Sequence, residues 1–443
     1  MKVDGLNYTA REIAKIISGE LTGENVNINC ITTDSREKCD LPSCFFAIKG
    51  EKYNGNNYIN DAIANGAKLI ISDEETKCKV ASIRVKNVRR ALGLLGKNKK
   101  GNVKVIGVTG SHGKTTVKDM ITSVLGEKYD VCSTVGNLNN ELGVALTLLS
   151  CQNEDYCVVE MGMRGRGEIE WLSYIAEPYI SVVTNCASSH IGRLGDLESI
   201  FLAKMEIIKH TRSTAVLPNE ERFISYNCGK LQKIFFGKNT SFDYTDFSLT
   251  ESGQRFSVKG NEISLESIYE HDALNATIAY AVGELCGLNK TEIVRGLGSY
   301  QKSDFRGNIE LIGGIEIIND CYNASYESVK SAIINTVNYC RFKRKKVAVL
   351  LGDMLELGNK AEEYHRKIGL LCKENNIEKM FVYGRLAKWY LEENPKGITC
   401  EKFADITKTV LTQVDDSYVL LIKASNAMNF KKIVDEIREN KNA

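Results

Sequence analysis

Continuous apolar runs alternate with amphipathic helical patterns through the middle of the chain. The runs are VKVIGVTG, DYCVVEMG, YISVVTN and STAVLPN, and the pattern KTTVKDMITSVLGEKY follows the first of them. Strands that are apolar throughout are typical of parallel sheets that helices cover on both faces. This alternation therefore predicts a doubly wound α/β domain.

Three α/β domains are expected along the 443 residues. Residues 1–98 mix short strands and helices, which indicates a small mixed α/β N-terminal domain. Residues 99–310 form a central phosphate-loop domain with a parallel sheet, and the shorter alternating runs of 238–268 predict a small antiparallel appendage on it. After a turn-rich stretch, residues 311–443 return to alternating strands and helices, which predicts a Rossmann-like C-terminal domain.

The composition excludes several classes of partner. A net charge of +2, with 43% hydrophobic residues, gives no electrostatic basis for binding nucleic acid. No apolar run reaches the ~20 residues that span a bilayer. The first residues carry acids and no signal-like apolar segment, so secretion is not expected. The 14 cysteines are scattered without a Cys-x-x-Cys pair, which indicates reduced core residues in a cytoplasmic protein.

A glycine-rich turn, GVTGSHGKTT at 107–116, joins the first apolar run to its helix. Such a turn directs backbone N–H groups and the positive end of the helix dipole at an anion. Lys114 is suited to neutralising phosphate oxygens, and the Thr115 hydroxyl is suited to a phosphate-bound Mg²⁺. The strict Walker pattern requires glycine at 108, where this chain has Val108. An ordinary strand-to-helix turn is the alternative.

Three further polar residues follow predicted strands or lie on helices near them. Glu160 ends the run CVVE, at the sheet edge where open α/β sheets bind ligands, and suits a Mg²⁺ ligand. Taken alone, His190 is typical of a polar loop residue and Lys204 of a lysine on a helix surface. The residues themselves leave these alternatives open.

Taken together, the motifs resemble those of the Mur ligase family. They occur in the order TTDSREKCDLPSCFFAIKGEKYNGNNYI, TGSHGKTT, GNLNNELGVALTLL, EMGMRGRGEI, TNCASSHIGRLGDLESIFLAKMEI, NDCYNASYESVKSAI and LLGDMLELG. The resemblance covers nearly the whole chain. It also explains Val108, because loops of this family read Thr-Gly-x-x-Gly-Lys-Thr.

Within that family, the chain is similar to ligases that add D-alanyl-D-alanine to UDP-N-acetylmuramoyl-tripeptide in peptidoglycan precursor synthesis. The resemblance implies an ATP-dependent amide ligase that works through an acyl phosphate, with Mg²⁺ at two sites. It implies that residues 1–98 bind the UDP-linked donor, 99–310 bind ATP, and 311–443 bind the acceptor and close over ATP. We expect small-molecule substrates and a monomer.

The same resemblance implies roles for individual residues. Those expected to bind ATP are Thr109, Gly110, Ser111, His112, Gly113, Lys114, Thr115, Thr116, Asn275, Arg306 and Asp320. Those expected to bind Mg²⁺ are Thr115, Glu160, His190 and Lys204, the last as a carbamate formed with CO₂. Those expected to face the other substrates are Ser35, Arg36, Asn137 and Asn139. Lys114, His190, Lys204 and Asn137 are expected to be catalytic.

Several positions depart from the usual pattern of these ligases. Asn54 and Asn56 stand where Asp and His are typical, and Ala145 and Tyr326 each replace a proline. The segment KASNAM, at 423–428, stands where the sequence Lys-Gly-Ser-Arg-x-Met is common. The departures leave open a related ligase with a different donor or amine acceptor. An ATP-binding protein without ligase activity is a third possibility, which the intact metal set argues against.

Overall fold

The computed structural model describes residues 2–187, 194–302, 305–355 and 357–442. Within these ranges the chain forms three six-stranded sheets and one three-stranded sheet, with helices packed against them. His190 lies outside the described residues.

The first sheet is mixed and lies in the N-terminal part of the chain. Its strands are β1 (Lys2–Thr9), β2 (Glu20–Thr22), β3 (Asn27–Thr32), β4 (Ser43–Phe46), β5 (Ala67–Ser72) and β6 (Ala81–Arg84). In the order β1-β3-β4-β5-β6-β2, the inner strands are parallel and the two outer strands antiparallel. Its helices are α1 (Ala10–Ile17), α2 (Ile59–Ala64) and α3 (Val88–Lys99).

The central sheet is parallel throughout, in the order β12-β11-β10-β7-β9-β8. Its strands are β7 (Lys104–Thr109), β8 (Val131–Ser133), β9 (Tyr156–Glu160), β10 (Ile180–Val183), β11 (Thr214–Pro218) and β12 (Gln232–Phe236). Its helices are α4 (Lys114–Leu125), α5 (Glu141–Ser150), α6 (Glu168–Ala176), α7 (Leu197–Met205), α8 (Glu221–Ile224), α9 (Glu270–Leu285) and α10 (Lys290–Gly298). Apolar side chains cover both faces in two separate core clusters. The expected doubly wound sheet is confirmed.

Two helices near the cavity described below begin at side-chain caps. Asn140 accepts the Gly143 N–H at 2.9 Å where α5 begins, and Asp196 accepts the Ser199 N–H at 2.6 Å where α7 begins. Such caps satisfy N–H groups that have no partner inside the helix, which fixes where each helix starts. The capped start of α7 sets the position of Lys204, eight residues further on.

The antiparallel appendage is also present. Its strands are β13 (Tyr244–Thr250), β14 (Gly253–Val258) and β15 (Asn261–Leu265), paired in that order. Phe256 and Ile263 of this small sheet are buried in the same core cluster as residues of α9.

The third sheet has the order β16-β17-β21-β18-β19-β20. Its strands are β16 (Asn308–Ile312), β17 (Ile315–Asp320), β18 (Lys346–Gly352), β19 (Lys379–Tyr383), β20 (Ile398–Thr399) and β21 (Tyr418–Lys423). Its helices are α11 (Tyr326–Lys343), α12 (Ala361–Glu374), α13 (Lys388–Glu393), α14 (Ile406–Leu411) and α15 (Lys431–Asn442). All its neighbours are parallel except β16, which forms an antiparallel hairpin with β17. This is the expected Rossmann-like unit with one added edge strand.

The three large sheets use separate parts of the sequence. The predicted boundary at 98 falls between the first and the central sheet, whereas the boundary at 310 falls inside β16, so the third sheet begins before it. α3 continues to Lys99, one residue past the first boundary. In the described part of the chain, no helix combines the length and apolar content needed to cross a membrane.

Candidate active site

The glycine-rich turn lies between β7 and α4, and two of its positions have no room for a side chain. A Cβ on Gly110 would lie 1.9 Å from the Thr184 hydroxyl oxygen. Gly113 has φ of 77°, and a Cβ there would meet Asn275 Oδ1 at 2.8 Å. The turn therefore needs glycine at both positions, in the second case for its backbone conformation as well.

Asn185, just after β10, holds the turn in place. Its backbone carbonyl accepts the Ser111 N–H at 3.1 Å, and its Oδ1 accepts the His112 N–H at 2.9 Å. Asn185 Nδ2 also donates to the His112 carbonyl at 3.1 Å. Sequence reasoning did not single out Asn185, although it follows a buried strand at the ligand-binding edge of the sheet.

The N-terminus of α4 has no side-chain cap. Its N-cap is Gly113, so the first N–H groups of α4 face the cavity without a side chain that accepts from them. The Lys114 ammonium folds back over the turn and donates to the Gly110 carbonyl at 3.0 Å and the Ser111 carbonyl at 3.3 Å. Burial lowers the pKa of Lys114, while Glu160 opposes that shift. This arrangement is suited to an anion.

Glu160 reaches the turn because β9 pairs with β7, where Glu160 is the register partner of Val108. The carboxylate is 2% exposed. Its Oε2 accepts from the Thr115 hydroxyl at 2.7 Å, and its Oε1 accepts from Asn139 Nδ2 at 2.6 Å. The Glu160 N–H donates to the Thr134 hydroxyl at 3.0 Å. Thr115 and Asn139, both predicted site residues, thus meet at the carboxylate of Glu160.

Lys204 is not the surface residue that its sequence neighbourhood suggests. Its side chain is 2% exposed, and its ammonium makes no hydrogen bond or ion pair with any described residue. Burial, followed by repulsion from Lys114, lowers the pKa of Lys204 to about 7, against a smaller opposing effect of Cys186. Lys204 lines the same cavity as Glu160, and near neutral pH much of it is the uncharged amine.

Two residues from the C-terminal part of the chain enter the cavity. Arg306 Nη2 donates to the Thr115 hydroxyl at 2.9 Å, and its guanidinium lies 3.8 Å from the centre of the Tyr322 ring. Asp320 Oδ2 accepts from Lys423 Nζ at 2.6 Å and from the Tyr269 hydroxyl at 3.3 Å. Arg306 lies two residues before β16, so it links the third unit, the domain built on the third sheet, to the N-terminus of α4.

Lys423 was missed by the sequence analysis. It ends the apolar strand run YVLLIK, is 2% exposed and also donates to the Asn323 carbonyl at 2.9 Å. A lysine that ends a buried strand at the carboxyl edge of a parallel sheet was the available signal.

Asn275 lies on the far side of the turn, on α9. Its Nδ2 donates to Asp272 Oδ1 at 3.1 Å. Asp272 in turn pairs with Lys302 at 3.0 Å and accepts from the Ser267 hydroxyl at 2.6 Å. This buried network fixes the Asn275 amide beside Gly113.

All these groups line one cavity of about 1080 Å³. The predicted residues that line it are Gly110, Ser111, His112, Gly113, Lys114, Thr115, Thr116, Asn137, Asn139, Glu160, Lys204, Asn275, Arg306 and Asp320. Thr109 lies directly beneath, fully buried, and its hydroxyl donates to the Met161 carbonyl at 2.8 Å.

Ser35 and Arg36 are not part of this lining. Arg36 is 87% exposed and pairs with Asp34 at 2.6 Å. The structure thus gathers the predicted ATP and metal residues that it describes, but it leaves the two predicted UDP contacts apart from them.

Comparison with known proteins gives three family models that match successive parts of the chain. The Mur ligase family catalytic domain matches residues 27–100, the Mur ligase middle domain 108–283, and the Mur ligase glutamate ligase domain 307–437.

Full-length relatives match as well. The UDP-N-acetylmuramoyl-tripeptide–D-alanyl-D-alanine ligase of Bacillus subtilis strain 168 is 34% identical, over 98% of this chain and 99% of its own. The crystal structure of MurF from Acinetobacter baumannii superposes with a TM-score of 0.90 at 28% identity, covering 99% and 100% of the two chains. MurF ligase from Thermotoga maritima in complex with ADP gives 0.83 at 27% identity, covering 93% and 97%.

Models of this family span most of the sequence, a full-length relative is 34% identical, and the predicted phosphate loop lines the cavity described above. The chain belongs to the Mur ligase family of ATP-dependent ligases.

Proposed function

We propose that the chain joins D-alanyl-D-alanine to UDP-N-acetylmuramoyl-tripeptide at the expense of ATP, a step of peptidoglycan precursor synthesis. The observation that carries the proposal is the convergence of an uncapped helix N-terminus, the Thr115–Glu160 pair and Arg306 in one cavity. The full-length relative at 34% identity, which is named for this reaction, supports the choice of substrates.

The turn and α4 fit the phosphates of ATP. The N-terminus of α4 offers backbone N–H groups and its positive dipole end, and no side chain caps it. Lys114 adds a charge to the same loop, and Arg306 adds one from the third unit. Asn275, held by Asp272 beside the turn, is placed to contact the base.

The residues also fit Mg²⁺, which prefers oxygen ligands. The Thr115 hydroxyl and the Glu160 carboxylate are both buried and 2.7 Å apart, so we infer that they hold one ion. We infer a second ion at Glu160 and Lys204, with His190 as a further ligand. When bound, Mg²⁺ would neutralise charge on the transferring phosphoryl group.

We infer that Lys204 works as a carbamate. Reaction with CO₂ requires an uncharged amine, and a pKa of about 7 supplies it at neutral pH. The product is an anion that can bind a cation, whereas an ammonium would repel one. Lys114 and the proposed metal ions would compensate that new charge.

The reaction needs positioning and charge neutralisation, and no covalent bond to the protein. One oxygen of the donor carboxylate attacks the γ-phosphorus of ATP, and ADP leaves. The acceptor amine then attacks the carbonyl carbon of the acyl phosphate, and phosphate departs with that oxygen. Lys114 and Arg306 face the position where charge accumulates on the phosphoryl group.

We propose the domain division 1–98, 99–310 and 311–443 for donor, ATP and acceptor. The separation of the three large sheets in the sequence supports three domains, and the start of β16 at Asn308 favours a second boundary a few residues earlier, before Arg306. Because Arg306 reaches Thr115 from the third unit, closure of that unit would complete the site and exclude water from the acyl phosphate. We also infer a monomer. We further infer a cytoplasmic location, where ATP and UDP-linked sugars are available.

Four of the unusual positions lie away from the cavity that would hold ATP. Among the described residues, Asn54, Asn56, Ala145 and Tyr326 all lie outside the cavity lining. Asn56 is bonded within the first sheet, and Tyr326 stacks on a neighbouring tyrosine at 4.6 Å. These four substitutions therefore leave the lining of this cavity unchanged. KASNAM begins at Lys423, which does line the cavity, so a related ligase with a different donor or acceptor is the alternative.

Phosphate release with purified substrates tests the proposal. We expect turnover with UDP-N-acetylmuramoyl-tripeptide, D-alanyl-D-alanine and ATP, and a product mass equal to the sum of donor and dipeptide less one water. Single D-alanine and L-alanyl-L-alanine serve as matched acceptors. Turnover only with another amine would point to a related ligase, and no turnover with any amine would overturn both.

A further inference from the structure

Three cysteines meet at one edge of the central sheet, away from the cavity lining. Cys132 on β8 and Cys157 on β9 are register partners in neighbouring parallel strands. Cys151 directly follows α5, which packs over the same edge. The three Sγ atoms lie within 4.8 Å of one another, and those of Cys132 and Cys151 are 3.3 Å apart.

This spacing is close to what a metal ion requires of three sulfur ligands. Zinc–sulfur bonds of about 2.3 Å place sulfurs about 3.8–4.0 Å apart in tetrahedral or trigonal geometry. Each Sγ would have to move by less than about 1 Å, which rotation about a cysteine side chain can supply. We propose that Cys132, Cys151 and Cys157 form a thiolate site for a divalent thiophilic cation such as Zn²⁺.

Charge favours a divalent ion over a monovalent one. Three thiolates with a divalent cation leave a single net negative charge, and Lys99 lies beside the cluster, where its ammonium donates to the Cys151 carbonyl at 2.7 Å. A monovalent ion would leave two negative charges in a mostly buried site, at a larger cost in desolvation. Soft thiolate ligands also exclude Mg²⁺, so this site and the oxygen-lined cavity select different metals.

Access and coordination are both available. Cys151 and Cys157 are buried, whereas Cys132 is half-buried on the edge strand. The ion would enter past Cys132, and solvent there would supply a fourth ligand. Binding would link β8, β9 and α5. Because β8 has only three residues, this link would stabilise a short sheet edge.

The test uses the full-length protein with its thiols reduced, and Co²⁺ and Zn²⁺ as the probes. We expect Co²⁺ to produce the near-ultraviolet charge-transfer absorption of a cobalt–thiolate bond, at one ion per chain. Zn²⁺ should displace Co²⁺ and raise the thermal unfolding temperature. Cys132→Ser should abolish the absorption and weaken Zn²⁺ binding by at least about 100-fold.

Cys39→Ser is the matched control. Cys39 is also half-buried, and its Sγ is 3.5 Å from that of Cys30. Among the described residues, no third thiol lies within 4.8 Å of both sulfurs of this pair. The Cys39→Ser variant should therefore bind Co²⁺ as the wild type does. The proposal is overturned if Co²⁺ gives no thiolate absorption, or if Cys132→Ser and Cys39→Ser bind alike. Cys151→Ser provides a second ligand variant should Cys132→Ser fold poorly.

Discussion

Replacing Lys204 with methionine should stabilise the fold while abolishing turnover. In the folded state the pKa of Lys204 is about 7, against 10.5 for an ordinary lysine. At about 1.4 kcal/mol per pH unit, this gap corresponds to about 5 kcal/mol of unfavourable free energy at acid pH. At pH 7.5 the same calculation gives about 4 kcal/mol. Methionine fills a similar volume without a charge, so a large part of that cost should be recovered.

The difference in stability between Lys204→Met and the wild type should depend on pH. Between about pH 7 and 10.5 the unfolded chain binds the Lys204 proton and the folded chain releases it, so wild-type stability rises with pH through this window. The variant lacks this group. Its advantage over the wild type should therefore be largest at and below pH 7 and shrink toward zero near pH 10.5.

Thermal unfolding in CO₂-free buffers from pH 6.5 to 10 measures this difference and keeps Lys204 as the free amine. We expect the free energy of unfolding of Lys204→Met to exceed that of the wild type by about 3 kcal/mol near pH 7. For a domain of this size, each kcal/mol raises Tm by roughly 2–4 °C. Lys118→Met is the control, because Lys118 is equally buried but donates to the Thr134 carbonyl at 2.7 Å and pairs with Asp119. That variant should lose roughly 3 kcal/mol. A loss in Lys204→Met like that of the control, or a difference that does not change with pH, would refute the reasoning.

Three further changes test the cavity. In Gly110→Ala, the new Cβ would lie 1.9 Å from the Thr184 hydroxyl. Calorimetry should show ADP binding weakened roughly 100-fold, with an unchanged circular dichroism spectrum. Normal ADP affinity would contradict the proposed phosphate loop. Arg306→Ala should lower kcat about 10²–10³-fold with little change in ADP affinity, and an equal loss in both would assign Arg306 to ground-state binding. Asn139→Asp replaces an amide that donates to Glu160 at 2.6 Å with a second carboxylate, and repulsion between the two carboxylates should lower kcat/KM roughly 10–100-fold. An unchanged kcat/KM would refute the coupling.

The sheet architecture could be predicted because buried parallel strands leave a strong signal. The runs that became β7, β9, β10 and β11 are apolar throughout and were identified. β8 and β12 were missed because edge strands pair on one side only and are partly exposed, so their sequences lack that continuous apolar character.

The candidate site was predictable only in part. The glycine turn is a local feature that the motif reveals, but the contacts that crowd its two glycines come from Thr184 and Asn275, which are distant in the sequence. The burial of Lys204 depends on how α7 packs against the sheet, which no local pattern reveals. Lys423 and Asn185 reach the cavity lining only through the fold. The roles of Ser35 and Arg36 stay predictions, since the structure places them apart from the cavity lining.

Transfer of oxygen from donor to phosphate tests the central claim, that ATP activates a carboxylate. The donor tripeptide would carry a heavy oxygen isotope in its terminal carboxylate, and released phosphate would be analysed by mass spectrometry after reaction with D-alanyl-D-alanine. The account predicts one heavy oxygen in each phosphate, because the carboxylate oxygen attacks phosphorus and departs with it. Unlabelled phosphate, with the heavy oxygen that the carboxylate loses released in water instead, would contradict it.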